Sequence, residues 1–180
     1  MEWLEAVKAR EKRKNKLLFM PGDSLFDALA PLTGQASRRA LVLWALSLAE
    51  EAVSRLQALL PDEVRPAEAV RLARHWARGE VKMPIAKAAI LACHAVAKEG
   101  VPPEAAALCH AVGQACAVIH ARGHAMGFAF YELTAIARRE GVENCRAAVE
   151  TRACAYVSRL LQAEEEAESS TGPWAKFLTP

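Results

Sequence analysis

Nowhere in this chain of 180 residues do apolar and polar side chains alternate with a period of two, whereas apolar spacings of three and four recur along most of it. A half-buried strand needs the first pattern and an amphipathic helix the second, so the sequence predicts an all-α protein. Proline and glycine then divide it. A charged helix covers 2–16, and the turn-rich connector "FMPGDSLFDALAPLTG" (19–34) has room for one short helix at most. A long helix runs from about Gln35 to Leu60, where Pro61 stops it. Pro66 falls in the first turn of the next helix, which needs no amide donor there, and Gly79 falls just past its end. Pro84 opens a further helix that Gly100 closes, and Pro102 and Pro103 open one reaching to about Arg122. Gly141 closes the segment after that, and a last helix covers roughly 143–167.

The expectation is a single-domain bundle of about six to seven helices. Connections of two to six residues make sequential neighbours antiparallel. Residues 1–34 supply the charged N-terminal helix and connector, 35–168 the helical core, and 169–180 a tail anchored at most by Trp174, Phe177 and Leu178. Aromatic residues are only 6% of the chain while alanine is abundant, so the core must be built from small and aliphatic side chains. Alanine has the best helix propensity and lets backbones approach closely, which suits tightly packed helices. The chain is long enough to bury such a core without disulfides or a metal.

A net charge of +2 is nearly balanced and points to neither nucleic acid nor membrane. The basic run "KAREKRKNK" (8–16) and the acidic run "AEEEAE" (163–168) read as solvated helix surface, or as two ends that attract each other. No basic stripe with interleaved aromatics and no helix-turn-helix pattern accompanies the basic run, so no nucleic-acid partner is expected. Five cysteines, an odd number, lie inside alanine-rich helical stretches and behave there as small apolar residues. With a charged amphipathic segment directly after Met1 and no uninterrupted apolar run of spanning length, the expected setting is a reducing cytoplasm.

The stretch "RPAEAVRLARHWARGE" (65–80) resolves into two faces. Ala69, Val70, Leu72, Ala73, Trp76 and Ala77 make one apolar stripe, and Glu68, Arg71, Arg74, His75 and Arg78 fall on the opposite, solvated side. Arg65 and Glu80 flank the helix. Their expected role is to hydrogen-bond exposed backbone groups at the helix ends of a neighbour.

The histidines come next. "CHAVGQACAVIHARGHAMGF" (109–128) spaces Cys116, His120 and His124 by four, on one face if the helix continues through Gly123. Two imidazoles and a thiolate at that spacing can share a metal, although no carboxylate stands nearer on the stripe than Glu132. The competing reading is of core histidines bonded to backbone or to Gln114. His94 and His110 each follow a cysteine, and adjacent helical residues point too far apart for such a pair to grip one ion. Four histidines from neighbouring helices can still meet in space. Gly113, Gly123 and Gly127 each cost about 1 kcal/mol inside helix relative to alanine, so close packing against each is expected. No phosphate-cradling loop or nucleophile elbow occurs; no catalytic residue and no cofactor is assigned.

Three ordered motifs, "RPxxAxxxAxxWARGE" (65–80), "AKAAILACHAVAK" (86–98) and "AVGQACAVIHARGHA" (111–125) followed by Tyr131, resemble the bacterial Imm-5-like putative immunity proteins. The resemblance covers roughly 40–137 and falls on Arg65, Pro66, Trp76, Gly79, Glu80, His94, Gly113, Gln114, His120 and His124. His110, the first forty residues and the long last helix lie outside it. It implies an all-helical protein grouped with the immunity proteins of polymorphic toxin systems, with Arg65, Trp76, Glu80, His94, Gln114, His120 and His124 as its binding positions.

The leading expectation is therefore a cytoplasmic binding module that neutralises a cognate toxin by occluding its surface, with arginine and aromatic anchors. The near-neutral charge weighs against a nuclease toxin, whose basic cleft invites an acidic inhibitor. Behind it stand a metal or small-ligand site formed by the histidines, and a homodimeric scaffold built on the alanine- and glycine-rich helices.

Overall fold

A computed structural model describes residues 2–179 and shows, among them, eight α-helices and no strand. They are α1 (Trp3–Lys12), α2 (Leu29–Gln35), α3 (Arg38–Leu59), α4 (Arg65–Ala77), α5 (Met83–Val96), α6 (Pro103–Ala117), α7 (His124–Glu140) and α8 (Arg146–Ser169). Short 3-10 turns occupy Ser24–Phe26 and Lys176–Leu178. The all-α expectation holds, and the helix beyond the expected six to seven is α2, the short one inside the connector.

Local chemistry accounts for most helix ends. The Ser37 hydroxyl caps α3 by accepting the Ala40 N–H at 3.1 Å. Prolines 66, 84 and 103 sit in the first turns of α4, α5 and α6. At the end of α4, Gly79 turns with φ +78°. Its N–H donates to Trp76 O and the Glu80 N–H to His75 O, both at 2.9 Å, which is the Schellman closure that favours glycine.

The core is continuous from end to end. Trp3, Leu4, Val7, Leu18 and Phe19 of the N-terminal segment belong to the same buried cluster as the helices that follow. At its centre α6 is buried on nearly every side: Ala105, Ala107, Ala111, Gly113, Ala115 and Cys116 admit α3, α4, α5 and α7 around one helix. That is what small side chains permit. Trp44, Phe128 and Tyr156 pack edge to face, 6.0–6.1 Å apart, between α3, α7 and α8.

Beside them lies a buried ion pair. The Glu132 carboxylate accepts bonds from Arg152 Nε (2.9 Å) and Nη2 (2.7 Å) and from Tyr156 Oη (2.5 Å). Arg152 Nη1 donates to Glu51 at 2.8 Å, tying α3 to the pair. These ligands satisfy the buried carboxylate. Glu132, noted as the nearest acid on the histidine stripe, is thus spent on α8.

α6 stops at Ala117, five residues before the expected Arg122. No proline or positive-φ glycine causes this. The break is tied instead to distant segments: Arg38 Nη2 donates to the Ile119 carbonyl at 2.6 Å. In turn Arg122 Nη1 donates to the carbonyls of Thr33, Gly34 and Ala36 (3.0, 3.1 and 2.6 Å), closing the end of α2.

The charged ends do not meet: among the described residues no ion pair joins 8–16 to 163–168. Lys8 pairs with Glu143 at 2.7 Å, and Arg10 grips Asp23 through two bonds of 2.7 Å. Four cysteines are buried as expected, but Cys154 is exposed on α8. Among the described residues no helix is long and apolar enough to cross a membrane.

Candidate functional site: a histidine-lined cavity

Residues 83, 87, 90, 91 and 94 of α5 repeat at helical spacing, so Met83, Lys87, Ile90, Leu91 and His94 share a face. That face meets the indole of Trp76 from α4, Ala117 at the end of α6, and His120 and His124 across the break before α7. Together they enclose a cavity of about 310 Å³. One apolar wall and a convergent polar end are the usual composition of a binding pocket of this size.

Two glycines set the histidines. Gly113 lies beneath the His94 ring, where a Cβ would come to 2.8 Å from Cδ2 and closer to Nε2 and Cε1. Gly127 likewise admits Gln114, whose Cδ would be 2.9 Å from a Cβ there. Gly123, by contrast, faces open space. His94 Nδ1 lies 2.9 Å from His110 Nδ1, one donating and the other accepting. The Tyr131 ring sits 4.9 Å beyond His110. His124 Nδ1 donates to Gln114 Oε1 at 2.7 Å, which leaves its Nε2 as an acceptor. His120 packs on Trp76 at 5.8 Å and on His124 at 5.3 Å between ring centres.

Partial burial is the main force keeping these imidazoles neutral, pushing His94 down to about 4, with His110, His124 and Lys98 adding to the effect. His110 is lowered by burial, Lys16 and Lys98, and His124 by burial and His120. The charges acting on these three rings are all basic. At neutral pH His94, His110 and His124 therefore stand as uncharged donors and acceptors behind an apolar wall, and Lys87 is the one Lys, Arg, Asp or Glu that lines the cavity.

Of the residues singled out in the sequence, Trp76, His94, His120 and His124 line this cavity and Gln114 supports it from behind. Arg65 and Glu80 do not. Arg65 forks onto Glu63 and Glu99, holding the α3–α4 connection against the end of α5. Glu80, past the end of α4, pairs with His75 of that helix. Both therefore bind side chains, not the backbone ends expected of them.

Cys116 is fully buried in α6, its thiol pushed up to about 12 by desolvation, while His120 is exposed beyond the helix end. Among the described residues no three His, Cys, Asp or Glu side chains are grouped so as to hold a metal ion. Sequence reasoning missed Met83, Lys87, Ile90 and Leu91. Their helical spacing was visible, but nothing local marks which face of an alanine-rich helix meets a cavity.

The chain matches the family described as Imm-5 like putative immunity protein over residues 31–159, a span that reaches past the three motifs into α2 and α8. No curated protein and no solved structure matches it. All the lining and supporting residues of the cavity fall within the matched span, and the chain belongs to the Imm-5 like putative immunity protein family.

Proposed function

We propose that this chain binds a cognate bacterial toxin and neutralises it by covering the toxin's functional surface, using the face around the histidine cavity. The observation that carries the reading is the apolar rim. Met83 and Leu91 line the cavity while 46% and 57% exposed, and Phe177, 53% exposed, packs on the buried Trp76. Large apolar side chains gathered at the edge of a cavity, with an aromatic anchor at its base, are the composition of an interface core. Neutralisation by contact needs no cofactor, and five free thiols suit a reducing cytoplasm as the place of action.

Co-expression with the toxin encoded beside this gene tests it. The protein restores growth and co-purifies with the toxin, whereas Leu91→Asp, on an exposed position, abolishes both without lowering the melting temperature. Full protection by Leu91→Asp removes this face from the interface. No protection by the unaltered chain removes the immunity reading.

A further inference from the structure

The tail, residues 170–179, lies outside the span that defines the family yet is built onto its site. The Ala175 N–H donates to the Ala77 carbonyl at 2.8 Å, a group that the end of α4 leaves free. Arg39 Nε donates to the Leu178 carbonyl at 3.1 Å, and its guanidinium lies 5.6 Å over the Trp174 ring. Ala175 and Leu178 are buried. These contacts hold Phe177 with its ring 6.0 Å from Trp76 and still half exposed. Phe177, Trp76, His120 and His124 thus form one run of ring contacts from the tail into the cavity.

The charges of the cavity lining and of the tail have one sign. No Asp or Glu lines the cavity, and Lys87 is the one Lys or Arg that does. Lys176 is the one charged residue of 170–179. Glu80, the acidic residue nearest Trp76 past the end of α4, pairs with His75 and lies outside the cavity lining. Basic charge also surrounds the inner histidines, from Lys16 and Lys98. The complement of such a face carries carboxylates, and a cavity of about 310 Å³ with an apolar wall has room for an aromatic side chain.

We propose that the C-terminal tail completes the docking face and that this face receives a segment of a protein partner presenting an aromatic side chain flanked by carboxylates. The proposal rests on the toxin-binding reading and adds the partner's chemistry and a role for the tail.

The probes are three acetylated, amidated pentapeptides added to the full-length ¹⁵N-labelled protein: Glu-Asp-Phe-Asp-Glu, its basic counterpart Lys-Lys-Phe-Lys-Lys, and the Phe-less Glu-Asp-Ala-Asp-Glu. The first is expected to shift the Trp76 indole and the cavity histidine resonances saturably, with the other two at least about tenfold weaker. Phe177→Ala, an exposed change, weakens the first about tenfold, as does Lys87→Glu combined with Lys176→Glu. No shift up to about 5 mM, an equal response to the basic or Phe-less peptide, or an unaltered response of Phe177→Ala overturns the proposal. So does self-association that moves the same resonances in the absence of peptide, since the occupant is then a second copy. Peptide binding without protection of cells leaves the docking face standing and removes the immunity reading. Protection without peptide binding does the reverse.

Discussion

Gly113 on α6 and His94 on α5 are in mutual contact of a kind only glycine allows: the imidazole lies where the Cβ of any other residue would be. The His94 ring cannot simply yield, because its Nδ1 is held by His110 at 2.9 Å. Gly113→Ala should therefore destabilise the fold by about 1 kcal/mol, an overpacking penalty of about 2 offset by the roughly 1 kcal/mol helix preference of alanine. In a His94→Ala background the collision is gone and the same change becomes stabilising by about 1 kcal/mol. Urea denaturation of the four proteins reads the reversal. Equal signs in both backgrounds would show that the ring moves freely.

Removing Glu132 leaves Tyr156 Oη with no acceptor and two of the Arg152 donors unpaired, with Glu51 as the remaining partner of Arg152. Glu132→Ala should cost about 3–5 kcal/mol, the usual result of orphaning a buried charge. Glu68→Ala, which breaks an exposed pair with Arg71, should stay within about 0.5 kcal/mol. Chemical denaturation of the two variants side by side checks the contrast.

Acid should weaken the protein through its histidines before its carboxylates. His94 is held at about 4 against an ordinary 6.5, mainly by burial. Below pH 6.5 the unfolded chain binds a proton that the folded ring refuses until about pH 4, so stability falls as pH drops through that window and rises again with pH. His94 contributes about 2 kcal/mol to the change once solvent screening of its partly exposed ring is allowed for. His110 and His124 act in the same direction. The carboxylates of Glu51 and Glu63, held down by Arg152, Arg159 and Arg65, lose their share only below the ordinary carboxylate value of 4.5. Urea midpoints between pH 7.5 and 5 should fall steadily, and His94→Gln should flatten the slope.

Of five thiols only Cys154 is exposed. Desolvation raises Cys116 to about 12 and raises Cys145 too, which further suppresses their thiolates. A coloured disulfide reagent should consume one equivalent quickly in native protein and the remaining four only in denaturant. Cys154→Ser should abolish the fast phase.

The helices and the stripe of α4 were legible in the residues themselves. Prolines at first turns, Gly79 past an end and apolar spacings of three and four are properties of a few consecutive residues, because helical dihedrals and hydrogen bonds close within one turn. Burial of Ala69, Val70, Ala73, Trp76 and Ala77 follows directly from that period. So does the presence of close-packed glycines at 113 and 127, though not what packs on them.

Other features belong to pairs far apart in the chain. The break after α6 is bonded through Arg38 to Ile119 O and through Arg122 to Ala36 O, each bond spanning more than eighty residues. The bonds of Arg65 to Glu99 and of Glu132 to Arg152, and the packing of Phe177 on Trp76, likewise lie beyond any local pattern. The cavity itself exists because α4, α5, α6 and α7 converge on one end of the bundle, and that convergence seats His94 on Gly113 and Gln114 on Gly127. An amphipathic period decides that a helix forms and which side leaves water. Which rods that side meets, and which imidazoles then touch, is decided by how the small side chains of all the helices fit together at once.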